Sequence, residues 1–112
     1  MTVEKLLTTV VDACDEKHGY DIVAYDVTSS GMLYDYCVVC HAPTNRQVEA
    51  IANEVKEKVQ ENEGTVYSME GLRGSKWVLM DLGDIIVNIM TRDDREYYEL
   101  DTLFEKYPIK EV

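Results

Sequence analysis

Trp77-Val-Leu-Met-Asp-Leu-Gly-Asp-Ile-Ile-Val-Asn-Ile-Met90 sets two apolar runs on either side of Gly83-Asp84. A two-residue connection with glycine first suits a type II′ turn, whose twist matches that of paired strands. The register then follows: Leu82 opposes Ile85, Asp81 opposes Ile86, Met80 opposes Val87, Leu79 opposes Asn88, Val78 opposes Ile89 and Trp77 opposes Met90. Opposed residues share a face and successive residues alternate. One face is therefore wholly aliphatic (Val78, Met80, Leu82, Ile85, Val87, Ile89) and is expected to pack against helices. The other carries Trp77, Leu79, Asp81, Ile86, Asn88 and Met90. A second buried layer seldom includes an unpaired Asp, and a purely solvated face seldom gathers Trp, Leu, Ile and Met. Two readings stay open: a protein-binding patch, or a face covered by a helix of the same chain with a local partner for Asp81.

Working outward, Val66–Met69 reads as a short strand leading into a polar loop, Glu70-Gly-Leu-Arg-Gly-Ser75. Its Gly71-x-x-Gly74 lacks the Lys-Ser/Thr of a phosphate loop and reads as a turn. A helix is predicted before it: Thr44-Asn-Arg-Gln47 fits a capping box, Val48, Ile51, Ala52, Val55 and Val59 form one stripe, and Gly64 ends it. Tyr20–Val27 and Tyr36–His41 are predicted strands, with turn residues Thr28–Gly31 between them. Val3, Leu6, Leu7, Val10, Val11 and Cys14 predict an opening helix over 3–17, capped by Thr2 and closed by Gly19. A last helix is expected over 92–106, capped by Thr91, with Asp93 and Asp94 in its first turn and Pro108 beyond it. Three helices and five strands with short connections make one domain spanning 1–112, a mixed α+β (α/β) fold.

The chain of 112 residues carries 22 acids against 11 bases, a net charge of −11. Nucleic-acid binding draws most of its affinity from Lys and Arg on phosphates, so direct binding to RNA, DNA or an anionic membrane is not expected, whereas a basic protein would be attracted. No apolar run approaches the ~20 residues of a membrane span, and the polar N-terminus lacks a signal-peptide pattern; a cytoplasmic protein is expected. Cys14, Cys37 and Cys40 are an odd set. Cys37 and Cys40 have C-x-x-C spacing, but they lie on a predicted strand, where positions three apart face opposite sides, so buried reduced thiols are expected. His18 and His41 have no metal-ligand spacing. No catalytic group, cofactor or metal is assigned. The enzymatic alternative is a divergent nucleotidyltransferase using Asp35, Asp81 or Asp84 with a divalent cation, which requires these carboxylates to converge.

The hairpin resembles the signature of the Iojap-like ribosomal silencing factors. So do Arg95-Glu-Tyr-Tyr-Glu-Leu100 in the last helix, Asp35-Tyr36, Arg46-Gln-Val-Glu-Ala-Ile51, and Glu70-Gly71 before the hairpin, all in the family's order. The chain differs from the family's usual pattern at Asn88, commonly His, and at Phe104, commonly Trp. Asn88 keeps hydrogen bonding but cannot titrate near neutral pH. The resemblance implies a five-stranded mixed sheet related to nucleotidyltransferases without their catalytic residues. It also implies a translational repressor that binds the large ribosomal subunit through its L-fourteen family protein and blocks joining of the small subunit, or serves in ribosome assembly. On that reading Trp77 and Met90 are apolar anchors beside Leu79 and Ile86, Asp81 and Asn88 are polar partners, and Glu70 and Asp84 lie at the rim. The same patch could form a homodimer when the protein is free.

Overall fold

The computed structural model describes residues 1–112 apart from the side chain of Leu72. Helix α1 (Val3–Glu16) is followed by strand β1 (Tyr20–Asp26), a short 3₁₀ turn (Thr28–Ser30), β2 (Tyr36–Ala42), α2 (Asn45–Glu61), β3 (Ser68–Leu72), β4 (Trp77–Asp81), β5 (Ile85–Thr91), α3 (Arg92–Tyr98) and α4 (Leu100–Phe104). The strands form one sheet in the order β1-β2-β5-β4-β3. Only the central pair β2–β5 is parallel; the others are antiparallel. This is a mixed α+β domain with a radius of gyration of 12.6 Å.

Amphipathic helices and alternating strands build the core on the first face of this sheet. Thr2 and Thr44 cap α1 and α2 by accepting from the N–H groups of Lys5 and Gln47. The apolar stripes of both helices lie over Ala24, Val38, Cys40, Val78, Met80, Ile85, Val87 and Ile89. All six residues of the hairpin's aliphatic face are buried. Burying each aliphatic side chain contributes about 1.5–3 kcal/mol, so this layer supplies most of the drive to fold. Strand β2 is buried on both faces, which is why it reads as a continuous apolar run rather than an alternating one. The three cysteines are free and buried: Cys14 and Cys40 belong to the first-face core and Cys37 to a second cluster behind the sheet.

The hairpin register is the expected one, from Trp77 opposite Met90 to Asp81 opposite Ile86. Gly83 takes φ 90°, and a Cβ there would meet Tyr67 Cε2 at 3.0 Å. Three expectations need correction. The third strand runs over Ser68–Leu72 rather than 66–69, so Glu70 and Gly71 pair with Leu79 and Val78 instead of lying in a loop. The glycines that end α1 and α2 sit one position late: His18 (φ 62°) and Glu63 (φ 65°) take the left-handed turn. Gly19 and Gly64 then donate to Cys14 and Val59 carbonyls at 2.8 Å; a Cβ at Gly64 would lie 2.8 Å from Val59 Cγ1. The last helix is two helices, broken at Glu99, whose φ of 47° and ψ of 45° are left-handed.

Left-handed backbone costs a non-glycine residue roughly 1–2 kcal/mol, and glycine none of that strain. Glu99→Gly is therefore expected to leave stability unchanged or raise it by up to about 1 kcal/mol, whereas Gly83→Ala should lower it by about 1–2 kcal/mol. Urea unfolding of the two variants checks both signs.

Candidate functional site

The second face of the sheet is built from rows that cross it. One runs Tyr25–Cys37–Ile86–Asp81–Ser68, and the next Val23–Val39–Asn88–Leu79–Glu70. A third brings His41, Met90 and Trp77 side by side. Helices α3 and α4 cover only part of this surface. Leu100, Phe104 and Tyr107 pack on the β1–β2 side together with Ile86, and Phe104 stacks on Tyr25 with centroids 5.5 Å apart. Tyr98 of α3 lies against Trp77 at 5.3 Å.

A buried guanidinium fixes α3 and α4 in place. Arg95, with its side chain 10% exposed, grips Asp101 across the helix break through Nε and Nη2 at 2.9 and 3.0 Å. Its Nη1 donates to the Asp21 carbonyl at 2.8 Å and to His41 Nδ1 at 2.9 Å. The positive φ of Asp21 and the register shift between Tyr20 and Val23 turn β1 toward it. Since a guanidinium only donates, His41 is neutral with its proton on Nε2. Asp101 also accepts from the Tyr25 hydroxyl at 2.6 Å. The hydrogen bonds from Arg95 hold the Asp101 carboxyl below its usual range, while burial, then Asp101, raises the Tyr25 phenol.

The eight residues singled out from sequence divide into three groups. Met90 is fully buried and Asn88 is 4% exposed, so the expectation that they touch a partner directly is corrected. Helix α3 closes over that corner of the sheet. Asn88 is the local polar link: its Oδ1 accepts from the Trp77 indole at 2.9 Å, and its amide donates to Cys37 Sγ at 3.5 Å. Burial pushes the Cys37 thiol up to about 12, so it stays protonated. Trp77 is half-buried and already engaged by Asn88 and Tyr98, an anchor for α3 before it is an anchor for anything else. Leu79, Asp81 and Ile86 are half-buried and lie together on the open part of the face, with Glu70 exposed beside Leu79. Asp81 has local partners, accepting from Gly83 N–H at 2.9 Å and from the Tyr34 hydroxyl at 3.4 Å. Asp84 is exposed in the turn, and its carbonyl accepts from the backbone of Asp35 at 2.7 Å. The chain's own helices thus cover the Met90–Asn88 part of this face and leave the Leu79–Ile86 part open.

The open area continues into a groove of about 190 Å³, lined by Val27, Met32, Tyr34, Cys37, Leu79, Ile86, Asn88, Leu100 and Phe104. Leu33 beside it is 90% exposed and Met32 45%. Sequence reasoning missed this wall. Its signal was Met32-Leu33-Tyr34, three large apolar residues in a connection whose Thr28–Gly31 turn residues drew attention instead. Asp35, Asp81 and Asp84 do not form a cation site; among the described residues no group of three or more His, Cys, Asp or Glu could hold a metal. Among them, too, no helix is long and apolar enough to cross a membrane.

Comparison with known proteins gives a consistent result. A family model described as "Ribosomal silencing factor during starvation" matches residues 1–112. A protein of Bacillus subtilis named "Ribosomal silencing factor RsfS" is 38% identical over 112 residues, covering 100% of this chain and 95% of that protein. A crystal structure from Chromobacterium violaceum superposes with a TM-score of 0.89 at 30% identity, covering 94% of this chain and 88% of the other. One from Bacillus halodurans gives 0.84 at 36% identity, covering 97% and 99%.

The Arg95 cluster has a measurable signature. Burial, followed by the Arg95 charge, lowers the His41 pKa. The unfolded chain then takes up this proton near pH ~6.5 while the folded protein still resists it. The contribution of neutral His41 is therefore complete above that pH and is lost as pH falls from it through the lowered folded value. His41→Asn should flatten the decline in melting temperature between pH 7 and 5 relative to the parent chain, as read by thermal unfolding across that range.

Proposed function

Because this chain belongs to the ribosomal silencing factor family, we propose that it binds the large ribosomal subunit through the open half of its second sheet face and blocks joining of the small subunit. The L-fourteen family protein is the proposed contact. The observation that carries this reading is the placement of Leu79, Ile86 and Asp81 on a partly uncovered sheet beside an apolar groove, in a chain of net charge −11. A ribosome offers phosphate, which repels this protein, and basic proteins, which attract it. Complementary charge steers the encounter, and a desolvated apolar centre holds it. Leu79 and Ile86 supply that centre, with the exposed edge of Trp77 beside them. Asp81, Glu70 and Asp84 meet cationic or backbone groups at the rim, and Met90 and Asn88 act from beneath by holding Trp77 and the sheet.

No bond is made or broken in this mechanism. A domain measuring 33 × 32 × 22 Å seated where the two subunits meet excludes the second subunit by volume alone. The role is regulatory, exerted in the cytoplasm where ribosomes work, with subunit assembly as a related setting. A homodimer through the same face would hide it in the free protein, but two copies of net charge −11 repel, so such a dimer would be weak and strengthened by salt.

Trp77 is a poor position for a clean test, since its loss also releases Asn88 and Tyr98. Leu79→Lys is better: it is half-exposed and places a cation against the cationic partner. Large-subunit binding should fall by one to two orders of magnitude in co-sedimentation, and the excess of small subunits needed to displace the protein should fall with it. Parent-level co-sedimentation by Leu79→Lys, with an unchanged melting temperature, would refute the proposed face.

A further inference from the structure

The groove beside Leu79 has a more specific chemistry than the face around it. One wall is the connection between β1 and β2, bearing Met32 and Tyr34; the other is α4, bearing Leu100 and Phe104; Cys37, Ile86 and Asn88 form the floor. Its polar atoms are already engaged. The Asn88 amide serves Trp77 and Cys37, and the Tyr34 hydroxyl points to Asp81. Among the described residues no lysine or arginine lines it. A phosphate, nucleotide or sugar would meet an almost wholly apolar lining, and water in such a groove has few of the two to four polar partners that hold it. The volume of about 190 Å³ is below the roughly 300–1,000 Å³ of sites for drug-sized ligands, and near the roughly 150 Å³ at which an aliphatic cavity takes up a benzene ring. One large aliphatic or aromatic side chain fits that description. Asp81 stands at the rim, hydrogen-bonded to Tyr34 of the wall, with Glu70 further along the same face and no base among the lining residues.

We propose that this groove is a socket for one apolar side chain of a basic protein, with a neighbouring Lys or Arg of that protein set against Asp81. The inference rests on the reading that this face docks on the large subunit and adds what the face selects: an apolar residue adjacent to a cation, on a folded protein surface. Met32 and α4 become the specificity elements, since they form the walls. Insertion of an anchor into a pre-formed pocket is the arrangement that concentrates binding energy in few residues, and Asp81 at the mouth fixes which apolar residue enters. Leu33, between Met32 and Tyr34 in the chain and 90% exposed, is not among the lining residues.

Equilibrium co-sedimentation of the full chain with large subunits tests this. Met32→Gln keeps the side chain's length but makes the wall polar, at a residue that is nearly half exposed and whose N–H bonds to Ser30 Oγ, so the fold survives. Binding should weaken about tenfold for Met32→Gln and clearly less for Met32→Leu, which keeps the wall apolar, with the melting temperature unchanged in both. If the parent chain binds and Met32→Gln binds equally well, the socket is overturned while the docking face stands. If the parent chain itself does not sediment with large subunits, the docking face falls and the socket with it. A photo-crosslinker carried on Met32→Cys, the one exposed thiol beside three buried ones, should capture a ribosomal protein; capture of ribosomal RNA overturns the proposal.

Discussion

The bidentate pair between Arg95 and Asp101 spans the break at Glu99 and draws α4 down onto β1 and β2, and the extent of that coverage determines what the second sheet face can do. The guanidinium is spent four ways, on Asp101, two β1 carbonyls and His41. A charge so enclosed is tolerable only because its donors are matched; stripping one partner would leave the other uncompensated in a low-dielectric site. The geometry stops α4 short of β4 and β3. Had the last helix run unbroken over 92–106, its axis would have continued past Tyr98 and the Leu100–Phe104 side chains could not have turned back onto Tyr25 and Ile86. The left-handed Glu99 is thus a local strain offset by a tertiary ion pair and an aromatic stack, and the uncovered strip of sheet is its consequence.

The hairpin was legible in the sequence because its constraints are local. Gly83-Asp84 fixes the turn, and the turn fixes which residues share a face. The limits of the second face were not legible. Met90 and Leu79 lie on the same side of the sheet and look equivalent in the pattern, yet one has no exposed surface and the other opens to the groove. The difference is made by where α3 and α4 lie, which depends on Arg95 reaching a carbonyl 74 residues away in the chain. Arg92-Asp-Asp-Arg-Glu-Tyr-Tyr-Glu-Leu-Asp-Thr-Leu-Phe104 contains no glycine or proline to announce a break, so helix propensity carries the reading through Glu99 without pause. Asn88 looks like a contact residue in the sequence for the same reason. Its amide, in an otherwise apolar row, is satisfied within the chain by Trp77 and Cys37, which no spacing rule reveals.

The docking proposed above gives acidity and apolar exposure separate jobs. A net charge of −11 would act at long range, turning the protein from phosphate and toward basic neighbours, with an effect that weakens as salt rises. In the proposed docking the half-open strip acts at contact, where removing Leu79 and Ile86 from water would supply an energy that salt does not screen. The first face, packed under α1 and α2 except toward the β3 edge where Met69 is exposed, contributes rigidity in that docking: a strip on a packed sheet presents its residues at fixed spacing with little ordering cost on binding.

Hydroxyl-radical footprinting of the protein, free and bound to large subunits, tests most directly whether the open half of the second face is where the ribosome is met. The account predicts that oxidation of Met32, Tyr34 and Leu79 falls on binding while side chains on the solvent side of α1 and α2 oxidise at the same rate in both states. Protection confined to α1 and α2, with Met32, Tyr34 and Leu79 unchanged, would contradict it.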